Sequence, residues 1–595
     1  MKKRIYPVLL ALALLGASSC ETEILDQTPL NKYSDTVVWQ DPALVETFVN
    51  NIYIGIPSPF HTIMMANLVD EAQMNADWET ANVTKSQITP SYLGVFGSGF
   101  WVSHQRYITW TNTYKNIRAC NLFFEKIGQV PFDDAQAKDK LMGEVTFLRA
   151  YFYHQLVSLY GGVPLITEAY TLSDDFSTSR ESYENCIKFI SEECDKAAAL
   201  LPVSGDKARA TKGAALALKA RVLLYAASDL YNSNASWAGS YANKELVSYT
   251  GGDRTARWQA AKDAAKAVMD LGTYSLFGGE SPADDAEATE NYVNLFINNG
   301  NAEDIFLQFN DNLRNSNWDA PNVGLFTGPN GWHNWGESSP TGEMVDRYEM
   351  ADGSPFDWNK ASHKANPYQN RDPRFYASVL YEGAQWRPRP ADVRAADPLG
   401  IVQVGTYKKP DGSTVPGLDT RKGPIEDWNG SYTGYYLRKF VDPAIDHQYN
   451  KQTYPFRRFR YAEILLNYAE ACLGLEQYDE ARTYINKVRA RASMPAVTES
   501  GAALVQRYRN ERSVELAYEE HRYFDVRRWM IAPQAYVNAT GVNVTGNMGA
   551  DGTISNRSYS VVKIQDREWN PRFYFLPIEL DEINRNNKLI QNPLY

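Results

Sequence analysis

Beyond its first nineteen residues the 595-residue chain has no apolar run near the ~20 residues that a membrane-spanning helix needs. That absence excludes a polytopic membrane protein, and a mean hydropathy of -0.45 agrees. Basic charge is also short. Sixty Lys and Arg stand against 71 Asp and Glu, a formal charge of -11; loss of residues 1–19, with Lys2, Lys3 and Arg4 and no acid, takes this to -14. Phosphate binding needs a basic face, so nucleic acid is not an expected partner. Histidine is scarce: seven residues, no two at metal-ligand spacing and no HExxH, so neither a metal nor a cofactor is expected. Catalytic motifs are missing as well. Ser204-Gly205-Asp206-Lys207 matches SxxK, but no KTG accompanies it, and Gly97-Ser98-Gly99 lacks the spacing of GxSxG or GxGxxG. Both are expected as turns. The ~5–10 Å carboxylate pair of a glycosidase is set by tertiary structure, and no local motif argues for one. No catalytic residue is assigned.

What is present begins at the N-terminus. Lys2-Lys3-Arg4, the apolar run Val8 to Leu15 and the small residues Gly16-Ala17-Ser18-Ser19 form a secretory signal, followed directly by Cys20. This junction resembles a bacterial lipoprotein lipobox, with Ala17 where many have Leu, and implies that Cys20 is acylated and becomes the mature N-terminus. Several acyl chains anchor durably because each buried methylene adds ~0.8 kcal/mol. Glu21, Glu23 and Asp26 then form an acidic patch resembling the surface-export signal of Bacteroidetes lipoproteins. The other cysteines, Cys120, Cys186, Cys194 and Cys472, lie in apolar helical patterns and are expected in the core. Cys186 and Cys194 would stand ~12 Å apart along one helix, beyond the ~7 Å reach of a disulfide.

The chain is 44% apolar and 13% aromatic, ample for a large core. Tyr461, Ile464, Leu465, Tyr468, Ala469 and Cys472 share one helix face; a break at Gly474 and a second helix with Tyr478, Ala481, Ile485 and Val488 complete a helical hairpin. Its Ala, Gly and Tyr positions resemble tetratricopeptide units. Further helices are expected at Arg106–Ile127, Ala135–Tyr160, Glu181–Leu201, Thr211–Tyr231, Trp258–Leu271 and Leu504–Trp529. Between about Asn301 and Pro455 the periodicity gives way to Gly, Pro, Asn and Trp punctuation, which reads as a loop-rich subdomain with short strands packed on the helices. The expected fold is mainly α: a tetratricopeptide-like helical-hairpin scaffold with a loop-rich irregular subdomain. The chain divides into a signal (1–19), a tether (20–40), an N-terminal helical part (41–300), the insert (301–455) and a C-terminal helical part (456–595).

Six of fourteen tryptophans, Trp318, Trp332, Trp335, Trp358, Trp386 and Trp428, lie in the insert, and Trp78, Trp101 and Trp110 form a second group. Sugar rings stack their CH faces on indoles, and their hydroxyls need planar polar partners. Asp77-Trp78, Trp332-His333-Asn334-Trp335 and Trp386-Arg387 supply both, so Asp77, Trp78, Trp101, Trp332, Asn334, Trp335, Trp386 and Arg387 are the candidate ligand residues. Core packing is the alternative for any one indole, because large aromatics dominate burial; Trp110 is expected to be core.

Four stretches together carry a family resemblance: Phe147 to Tyr153 with Tyr160-Gly161-Gly162-Val163-Pro164; Pro340 to Asp346 ahead of Asp352-Gly353; Arg460 to Ala471 followed by Glu511-Arg512, Glu515, Glu519 and His521 to Trp529; and Leu576-Pro577-Ile578 with the terminal Gln591 to Tyr595. In this order, after a lipoprotein signal, the chain resembles the SusD/RagB family of Bacteroidetes. The resemblance implies a non-enzymatic, lipid-anchored lipoprotein of the outer-membrane surface that captures an oligosaccharide and works with a SusC-like TonB-dependent transporter. A RagB-like peptide binder is the alternative in the binding class, a surface glycoside hydrolase in the enzyme class. Read physically, the charges from Glu511 to Arg528 form a packing network, with Arg512, Arg522 and Arg528 able to answer the glutamates.

Overall fold

The computed structural model describes residues 35–75, 77–97, 109–171, 173–309 and 322–595. Its scaffold is built from α1 (Pro42–Ile54), α2 (Trp110–Lys126), α3 (Ala135–Tyr160), α4 (Tyr183–Leu200), α5 (Lys212–Ala227), α6 (Arg254–Met269), α7 (Asp285–Phe296), α8 (Tyr461–Gly474), α9 (Tyr478–Arg491), α10 (Gly501–Glu515) and α11 (Arg522–Arg528). The first seven begin where a short polar side chain turns back: Asp41, Thr109, Asp134, Ser182, Thr211, Asp253 and Asp284 each accept an amide N–H that the helix leaves free. Helices α3 to α6 pack in sequence order, and α6 then packs on α8, which packs on α9. The hairpin at 461–491 therefore continues an array begun some 300 residues earlier, and the mainly α, tetratricopeptide-like fold is realised. All four described cysteines are free and buried.

The insert is closed at its base. Strand β2 (Asp304–Gln308), where the chain leaves the scaffold, pairs antiparallel with β8 (Phe456–Arg460), where it returns. Between them β3 (Ser338–Pro340) pairs with β1 (Ala72–Met74), and β4 (Val379–Leu380) with β7 (Tyr436–Leu437). The C-terminal part is not helical throughout. Strands β9 (Ala539–Met548) and β10 (Ile554–Gln565) form a long hairpin that joins the insert's β5 (Thr406–Lys408) and β6 (Thr414–Pro416) in a sheet of order β10-β9-β5-β6, with β5 and β9 parallel. The expected Leu504–Trp529 helix is two helices: the chain leaves the helical path after Glu515 and passes through left-handed Tyr518 and Glu520 (φ 62° and 66°) before α11.

The glutamates of this region do form a buried network, with partners other than those expected. Arg460 donates to Glu303, Glu515 and Glu519, Arg491 to Glu303 and Glu515, Arg374 to Glu511 and Glu515, and Lys439 to Glu519. Arg512 and Arg528 instead answer Asp525, and Arg522 answers Asp70. Burial pushes the Glu515 carboxyl up, but Arg491, Arg460 and Arg374 outweigh it and hold it far below the usual range. Breaking one partner of such a pair typically costs ~3–5 kcal/mol. Because Arg374 and Lys439 come from the insert and Glu511 to Glu519 from the C-terminal part, the network fastens the loop-rich face to the scaffold.

Candidate functional site

The insert places one aromatic cluster in solvent. Trp428 is 64% exposed and Tyr432 43%, and both flank the Arg421 guanidinium, which lies 5.7 Å from the first ring and 4.3 Å from the second. Arg421 Nη1 donates to the Trp428 carbonyl (3.0 Å) and to Asn75 Oδ1 (2.5 Å). Asn75 in turn donates to the Trp335 carbonyl at 3.5 Å and directly precedes the segment that opens the short helix Asp77–Thr84.

The loop is pinned from beneath. Buried Asn330 donates to the Thr420 carbonyl (3.0 Å) and accepts the Tyr436 hydroxyl (2.7 Å). Gly430, at φ +114°, donates to the Trp335 carbonyl at 3.0 Å; a side chain there would meet Asn330 and the Arg421 backbone. At the rim His333 stands between Asp392 (3.0 Å) and Glu426 (3.7 Å), and Glu426 accepts Asn429 Nδ2. The hydrogen bond from His333 holds the Asp392 carboxyl below the usual carboxylate range. The arrangement is an exposed indole and phenol flanking a half-buried cation, suited to a ring with apolar faces and hydroxyl edges.

The sequence candidates divide. Trp335 is half-buried against Phe326, ring centroids 5.2 Å apart, and contributes to the cluster through its carbonyl. Asp77 and Trp78 begin the neighbouring helix, their side chains outside the described residues, and Trp101 lies outside them altogether. Trp332 must be corrected. It is fully buried, with the Arg389 guanidinium 3.5 Å from its ring and Nε1 donating to the carbonyls of Arg387 (3.2 Å) and Pro388 (3.1 Å), so no face is left for a sugar. Asn334 is likewise buried, its amide filling the space over Gly328. Trp386 is half-buried beside Trp332 in the same apolar cluster, 5.8 Å from the Arg438 guanidinium. Arg387 is spent on the Ile445 carbonyl (2.8 Å) and Asp446 (2.9 Å). Trp332, Trp386 and Arg387 thus make an internal unit that supports the insert.

Arg421, Trp428 and Tyr432 were not among the candidates. Asp427-Trp428-Asn429 carries the same polar flanks that singled out Asp77-Trp78, and that signal was available. Among the described residues no three His, Cys, Asp or Glu side chains are placed to hold a metal ion, and no helix is long and apolar enough to cross a membrane.

Comparison with known proteins accounts for both halves. Residues 302–595 match the SusD family, and residues 23–224 match a family described as starch-binding, associating with the outer membrane. A SusD-like protein of Bacteroides fragilis of known structure is 30% identical, with a TM-score of 0.74 over 96% of this chain and 100% of its own. A SusD-like carbohydrate-binding protein from the same organism is 22% identical, with a TM-score of 0.68 over 93% and 100%. SusD-like protein P38 of Formosa agariphila is 24% identical over 88% of this chain and 90% of its own. With 30% identity and a matching fold along the whole of the first B. fragilis protein, and family matches over residues 23–224 and 302–595, the chain belongs to the SusD/RagB family.

Proposed function

We propose that this protein is a non-enzymatic, cell-surface carbohydrate-binding lipoprotein that captures an oligosaccharide on the Trp428–Tyr432 face and passes it to a SusC-like TonB-dependent transporter. The observation that carries the reading is the exposed pair of rings around Arg421: a pyranose stacks its CH face on Trp428 or Tyr432 while the guanidinium donates to its hydroxyls. Trp335 borders this face, as do Asp77 and Trp78 by chain position. Association with the outer membrane is supported by the description of the family matched at residues 23–224, and carbohydrate as the ligand class by that description and by the B. fragilis relative. Acylation at Cys20, outside the described residues, supplies the anchor.

The test is titration calorimetry with an oligosaccharide panel and a peptide pool. Loss of a well-packed hot-spot side chain costs ~2 kcal/mol or more, so Trp428→Ala should weaken glycan binding roughly thirtyfold. Because that indole is largely exposed, the melting temperature should hold. Unchanged affinity in both Trp428→Ala and Tyr432→Ala would remove this face, and binding of peptides alone would replace the ligand class. Co-purification of a large β-barrel in mild detergent checks the transporter partnership.

A further inference from the structure

A second cleft, of about 220 Å³, opens where α5, α6, α8, α10 and α11 meet, and shares no residue with the Trp428 face. One of its residues is out of balance. Arg509 on α10 has only 19% of its side chain exposed, yet its guanidinium donates no hydrogen bond to any described residue; its single ion pair, with Asp229 Oδ2, is 3.6 Å long, and it lies 5.2 Å from the Trp529 ring. Asp229 is already engaged, its Oδ1 accepting from Arg254 Nη2 at 2.6 Å. The other acid of the cleft is closed off: Glu470 accepts Trp529 Nε1 (2.6 Å) and the Tyr508 hydroxyl (2.7 Å) and is paired with Arg528. Arg254 and Arg509 against Asp229 alone leave one uncompensated positive charge in a cleft walled by Trp258, Tyr508 and Trp529.

A guanidinium whose fork donates no hydrogen bond and meets its one anion only at 3.6 Å matches a carboxylate, which accepts two parallel N–H groups. The volume lies below the ~300–1,000 Å³ of clefts that take drug-sized ligands, which limits the occupant to about one sugar ring. We propose that this cleft binds the carboxylate of an acidic sugar, a uronate unit, with Arg509 as its bidentate partner and Arg254 flanking; the choice of a sugar rests on the carbohydrate reading above.

The experiment is titration of the full-length protein with galacturonate, with galactose and acetate as controls. Galacturonate should bind and weaken with added salt. Arg509→Gln should weaken it at least tenfold and Arg254→Gln less. Trp428→Ala, which tests the other face, should leave it unchanged, so the two readings fail separately. Galactose or acetate binding as tightly as galacturonate, no galacturonate binding, or full binding by Arg509→Gln would overturn the assignment. Should Arg509→Gln melt early, Arg509→Lys keeps the charge, loses the fork and should show the same loss.

Discussion

Burial remakes the chemistry of single side chains in this protein. Asp346, within the Pro340–Asp346 motif, accepts Trp358 Nε1 at 3.1 Å on both oxygens, and burial raises its pKa to about 7 against the pull of Arg371. In the unfolded chain such a carboxyl releases its proton near ~3.9. The folded state therefore holds an extra proton between these values, so this contribution to stability is complete below about pH 4 and is lost as pH rises through 7. Glu71, also raised by burial to about 7, acts in the same sense. Asp346→Asn carries no such proton. Its melting temperature relative to the wild type should thus improve between pH 4 and pH 8, by the equivalent of up to ~4 kcal/mol. A pH-independent gap between the two proteins in calorimetric scans would show that Asp346 is ionised when folded.

Between elements, close approach decides the geometry. Gly474 ends α8, but the left-handed residue of the α8–α9 turn is Glu476, at φ 60°. What requires glycine at 474 is the neighbouring helix: an added Cβ would stand 2.3 Å from Trp258 on α6. Gly474→Ala should cost ~1–3 kcal/mol, as overpacking does. Trimming the obstacle should recover most of that, so the cost measured in a Trp258→Leu background should be smaller. Equal cost in the two backgrounds, from denaturant melts, would mean that the strain lies elsewhere.

At the scale of the whole molecule, the N-terminal and C-terminal helices form one array, and the insert is a closed excursion tied at its base by the β2–β8 ladder and the buried ion network. Such a body places its loop-rich face at a set orientation, while the membrane attachment proposed above would rest on one residue, Cys20. Cys20→Ala should release the protein from the membrane fraction and abolish incorporation of radiolabelled palmitate. Label persisting in that variant would put the anchor on another residue.

The sequence by itself determined what local periodicity and chain order encode. Helices α2 to α6 and the α8–α9 hairpin were legible because 3.6-residue apolar spacing is a local property, and the family was legible because four motifs keep their order. The tertiary structure alone decided the rest. The break before α11 turns on Tyr518 and Glu520, which are neither Gly nor Pro, and the β9–β10 hairpin gains its place from strands 130 residues earlier. The candidate site divided for the same reason: Trp332 and Trp428 both sit in polar loop sequence, and only the folding of the insert onto itself buries one under Arg389 and leaves the other in solvent. Exposure is a property of the neighbours that a side chain meets, and those neighbours are distant in sequence.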